Sequence, residues 1–170
     1  MIAVIFPKTV LSFIPIILIE IAVLTKILKM NKKKTAWAVV AGNLCSTIFG
    51  IPATWTILVL FQISTGGNGF VGGVGNITES ILSVTYQAPW LLPYDDLYWR
   101  VPVAALFLLI AFFFASWLIE TRVERLILKK EIADKKRFSR TVFIANLFSY
   151  AFLAAVLAVS FVLDYRRGIL

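Results

Sequence analysis

The sequence predicts an all-α integral membrane protein. Four transmembrane helices form two tandem hairpins in one compact bundle, with a long outer loop between the second and third helices. Three observations predict this class. The chain of 170 residues is 60% hydrophobic and only 15% charged, with a mean hydropathy of +0.89. Soluble domains run to about 45–50% apolar and about a quarter charged, so a soluble fold of this size has too little polar sequence to cover itself. The apolar residues also gather in four stretches, each near the ~20 residues that a bilayer-crossing helix needs. Finally, the basic residues cluster in two connections.

The first stretch runs from about Thr9 to Leu28 and is interrupted by Glu20 and Lys26. Asn31 can end it in a left-handed turn, and Thr35 can cap the second. The second runs from about Ala36 to Ile63, long enough to require tilt or a kink. Gly50 and Pro52 in its outer half favour a kink. The third covers about Val101 to Ile119, with Pro102 in the first turn, where proline is tolerated. Glu120–Arg137 is expected to continue it as a short helical extension, supported by an i,i+4 pair of Glu131 and Lys135. The fourth covers about Thr141 to Leu163, with Ser139 as its cap. One transmembrane domain results, comprising a first hairpin (1–63), an outer loop (64–100) and a second hairpin (101–170).

Charge orients the spans. Lys26 near the end of the first span and the connections after the first and third spans hold 13 of the 17 basic residues, while the 64–100 segment has Arg100 alone against Glu79, Asp95 and Asp96. By the positive-inside rule both basic connections (29–35 and 120–140) are cytoplasmic, and both termini and the long loop lie outside. The net charge of +8 therefore reads as membrane topology and not as a nucleic-acid surface. The N-terminus lacks a basic n-region and a small-x-small cleavage site, so the first stretch reads as a true span.

The two hairpins resemble each other. Ile19-Glu20 has a counterpart in Ile119-Glu120, and Asn43-Leu44-Cys45-Ser46 has one in Asn146-Leu147-Phe148-Ser149. A parallel internal repeat is expected, related by an axis along the membrane normal. Ala38, Gly42, Ser46 and Gly50 recur every four residues, as do Thr141, Ala145 and Ser149. Such small-residue stripes let helix backbones approach closely in lipid, so both read as packing seams.

Composition removes several chemistries. With no histidine, bis-histidine haem ligation, histidine-based zinc sites and Ser-His or Cys-His nucleophilic catalysis are excluded. The single Cys45 permits neither an internal disulfide nor a CxxC pair, and it reads as a small packing residue. A formal GxGxxG from Gly67 to Gly72 follows a membrane helix and no strand, so it is a flexible loop and not a nucleotide fingerprint.

Glu20 is the most informative residue, since a carboxylate inside a span is costly unless it is protonated, paired or faces a polar interior. Glu20 and Asn43 each lie roughly 12–15 Å in from the first basic turn at 1.5 Å per residue, so they can meet. Glu120 and Asn146 are expected to mirror them. These four residues form the candidate intramembrane polar site, most simply as hydrogen bonds locking each hairpin. In the outer loop, Trp90, Tyr94, Asp95, Asp96, Tyr98 and Trp99 suit an interfacial aromatic belt and form the candidate partner surface.

The expected function is non-catalytic, as an accessory or structural subunit of a larger membrane complex, in contact with lipids and other membrane subunits and without nucleic acid. The alternative is a small proton- or cation-coupled carrier or channel using Glu20, with Asn43, Glu120 and Asn146. No metal site and no cofactor are evident, although a lipid or pigment can bind without leaving a motif.

Overall fold

The computed structural model describes residues 2–64 and 100–166, and over these the chain is all-helical, without a strand. Helix α1 (Ile2–Leu28) is followed by α2 (Lys32–Cys45), a π-helical segment (Ser46–Gly50) and α3 (Ile51–Ser64), which continue as one rod. Helices α4 (Arg100–Ile127) and α5 (Lys135–Arg166) form the second hairpin. Among the described residues two helices are long and apolar enough to cross a membrane, over 32–64 and 135–163.

The helix ends differ from those the sequence suggests, in one consistent direction. Helix α1 closes through Lys29, whose φ of 53° is left-handed, and Asn31 is not the left-handed residue. Instead Asn31 caps α2, its Oδ1 accepting from Lys33 N at 3.0 Å and Lys34 N at 3.3 Å. Thr35 is buried inside the first turn and caps nothing. In the second hairpin Asp134 takes the place expected of Ser139, its Oδ1 accepting from Lys136 N at 2.8 Å and Arg137 N at 3.1 Å. Ser139 lies within α5, where its carbonyl accepts from Trp117 Nε1 at 3.3 Å. Lys and Arg are good helix formers, so each helix starts about a turn before its apolar run.

The extension of α4 is shorter than expected. The helix stops at Ile127, and the next helical residue is Lys135. Glu131 pairs not with Lys135 but with Lys34 across the two connections, at 2.7 Å. Arg137 Nη2 donates to the carbonyl of Ile27 at 3.2 Å, so both short turns lie together at one end.

The π segment precedes Pro52, whose missing N–H breaks the regular ladder, a common origin of such a bulge. Helix α1 packs against α2 and α5, and α4 packs against the α2–α3 rod and α5. Each of the four rods thus has two neighbours.

The interior is mostly polar. Among the described residues, seven buried side chains are hydrophobic and thirteen are polar or charged, while 24 large hydrophobic side chains are exposed. The apolar part is small, with Leu24, Ala38, Val39, Leu128, Phe138, Val142 and Ala145 forming one cluster. Between α4 and α5, edge-to-face rings continue it: Phe113 against Phe143 and Tyr150, and Trp117 against Phe143.

Candidate functional site

The polar interior is organised as a closed ring of hydrogen bonds linking all four rods. On α1, Glu20 Oε2 accepts from Asn43 Nδ2 at 2.5 Å, and its Oε1 accepts from Ser149 Oγ at 2.8 Å. On α4, Glu120 Oε2 accepts from Asn146 Nδ2 at 2.6 Å, and its Oε1 accepts from Ser46 Oγ at 2.8 Å. Each glutamate therefore takes an asparagine from its own hairpin and a serine from the other. The ring closes within the helices, because Ser46 Oγ also lies 3.1 Å from the Asn43 carbonyl and Ser149 Oγ 3.0 Å from that of Asn146. All six residues are buried.

Local geometry explains the residue types. Asparagine keeps its second amide hydrogen for the carbonyl one turn earlier: Asn43 to Val39 at 3.1 Å, and Asn146 to Val142 at 3.2 Å. Serine three positions further on lies on the same helix face and reaches the glutamate of the other hairpin. A hydroxyl has one hydrogen and accepts as well as donates. Each serine can therefore give its hydrogen to an ionised carboxylate. Alternatively it turns that hydrogen to its backbone carbonyl and accepts from a protonated carboxyl. The asparagine side of each glutamate lacks this freedom, since an amide nitrogen only donates.

The four residues of the candidate polar site thus come together, joined by Ser46 and Ser149 from the packing seams. The seam residues Ala38, Gly42, Gly50, Thr141 and Ala145 are all buried. A β-carbon on Gly50 would lie 3.5 Å from Ile119 Cδ1, an ordinary contact. Cys45 is free and half-buried. The candidate outer surface of Trp90, Tyr94, Asp95, Asp96, Tyr98 and Trp99 lies outside the described residues. No set of three or more His, Cys, Asp or Glu among the described residues is arranged to hold a metal ion.

Comparison with protein families, with curated proteins and with solved structures gives no match. The site is therefore read from its own geometry.

Sequence reasoning missed Glu124. It looks like one charge of a solvated extension, yet it is 1% exposed and no donor reaches its Oε2. It packs on Gly42 of α2, where a β-carbon would lie 3.3 Å from both Cγ and Oε1 of the glutamate. Glu20, Glu120 and Glu124 lie within electrostatic reach of one another. The available signal is spacing, because Glu124 stands one turn from Glu120 on the same helix face.

Proposed function

We propose that this protein is a non-catalytic, multi-pass membrane scaffold, a four-span bundle of two repeated hairpins serving as a subunit of a larger membrane assembly. The observation that carries this reading is the closed ring. Both oxygens of Glu20 and both of Glu120 accept from side chains of the chain itself. Apart from the buried Asn146 Oδ1 the polar side-chain atoms of the ring are matched, and matched polar groups between helices fix their packing and in lipid act as glue. Each of these glutamate oxygens meets a donor from a different helix, which is the arrangement of a structural lock between the rods.

The membrane setting is supported by the polar interior and by exposed apolar side chains such as Trp37, 68% exposed, and Ile57, 65% exposed. A water-soluble protein rarely exposes contiguous apolar surface on this scale. The repeat is supported by the ring, in which Glu20, Asn43 and Ser46 make the same contacts as Glu120, Asn146 and Ser149. The positive-inside rule then puts both basic turns in the cytoplasm.

The deciding experiment is gentle extraction from the native membrane followed by native mass measurement. A stable set of co-purifying subunits is the expected result. A free monomer or homodimer overturns the scaffold reading.

A further inference from the structure

The two halves match around the ring and differ beside it. Aligning Glu20 with Glu120 sets Leu24 against Glu124, and aligning Asn43 with Asn146 sets Gly42 against Ala145 and Thr35 against Phe138. The seam between α5 and α1 is thus sealed by Leu24, Phe138 and Ala145, each at most 1% exposed. The corresponding seam between α2 and α4 carries Glu124, Thr35 and a glycine. Thr35 Oγ1, also buried, has no partner either.

An acid in place of a leucine needs a reason. A buried carboxylate with no counter-charge and an oxygen without a donor is so costly in the ionised form that the group neutralises instead. The charged and titratable groups around Glu124 offer no counter-charge. Glu120 faces it from α4 and Glu20 from α1, and both carry the same sign when ionised. On the α2 side it meets Gly42. Lys34 is held by Glu131, and Arg137 of α5 is held by the Ile27 carbonyl. The neighbouring Arg125 leaves its own buried Nε without a partner and donates nothing to Glu124 Oε2. Gly42 supplies the room, since the alanine found at the corresponding place in α5 would crowd the side chain.

We propose that Glu124 is a proton-binding site, built into the α2/α4 seam alone and separate from the ring. The proton neutralises a buried carboxyl group whose Oε2 has no hydrogen-bond partner in the protein. The ring glutamates differ in having both oxygens hydrogen-bonded by side chains of the protein. The inference goes beyond the scaffold reading, and it stands whether or not other subunits co-purify.

Infrared difference spectroscopy of the full-length protein in liposomes, recorded across pH, tests it. The wild type is expected to show a protonated carboxylic-acid carbonyl band. Glu124→Gln is expected to lose one component of that absorption, and so is Glu124→Leu, which copies the residue in α1. Thermal unfolding of the same samples shows that the variants remain folded. Leucine fills the site without a buried polar group, so Glu124→Leu keeps the test available if the glutamine variant is unstable. The proposal is overturned if the wild type shows no such band, as it would with a metal cation on the carboxylate. It is equally overturned if a folded Glu124 variant loses no component of the wild-type carboxylic-acid absorption.

Discussion

Gly42 and Glu124 stand in direct contact across the α2/α4 seam, with the space of a missing methyl group filled by the stem of a buried acid. This contact makes Gly42 a steric determinant as well as a place of close approach. Gly42→Ala gains helix propensity, roughly 0.5–1 kcal/mol, but overpacks a tight seam at about 1–3 kcal/mol. We expect net destabilisation, read as a lower midpoint in denaturant unfolding. Glu124→Ala in the same chain should relieve the crowding, so the double variant should show clear non-additivity.

The ring makes a sharp distinction among substitutions at Glu20. In Glu20→Gln the amide oxygen still accepts from Asn43, and the new amide nitrogen donates to Ser149 Oγ, whose hydrogen turns to the Asn146 carbonyl 3.0 Å away. The change should be nearly silent. Glu20→Leu strands one amide hydrogen of Asn43, at about 1–3 kcal/mol for the buried group left unmatched, while Ser149 can turn to the Asn146 carbonyl. Unfolding midpoints of the two variants, compared side by side, check the difference.

Ser46 and Ser149 occupy matching places in one cycle. Ser46→Ala and Ser149→Ala should therefore destabilise by similar amounts, about 0.5–1.5 kcal/mol each. Once the cycle is cut, its remaining bonds are less constrained, and the second cut should cost less than the first. A double-mutant cycle measures this coupling. Strict additivity would show that the bonds act independently.

The cap of α5 predicts a pH dependence at the basic end. Backbone N–H groups of Arg137 and Lys136 hold the exposed Asp134 carboxyl below the usual carboxylate range. Its folded value lies below its unfolded one, so its contribution is present above the unfolded value and is lost as pH falls through the folded one. Asp134→Ala should lower the melting temperature by a few degrees at neutral pH and be indistinguishable from wild type in strong acid. Asp134→Asn, which still caps, should stay close to wild type at neutral pH. Melting curves at the two pH values check both.

Much of the polar site was legible from counting alone. The fixed rise of a helix brings Glu20 and Asn43 to one depth, and the same spacing in the second half pairs Glu120 with Asn146. The bonds from Ser46 and Ser149 across the hairpins were not legible, because spacing says which residues share a face and not which helix faces them. Both serines read naturally as small residues in a packing stripe. Glu124 was hidden by the arginines around it, which suggest a solvated surface. Thr35 and Ser139 looked like caps because they border the apolar runs, whereas the lysines and arginines before them extend each helix by about a turn.

The ring also bears on how the chain must be assembled. A hairpin holding Glu20, Asn43 and Ser46 alone has one carboxylate oxygen without its donor, while its serine hydroxyl falls back on the Asn43 carbonyl, and the other hairpin has the same deficit. Each half carries the missing donor of its counterpart. The first to be synthesised is therefore an unfinished object that waits for the second, and the two made together as separate chains should find each other.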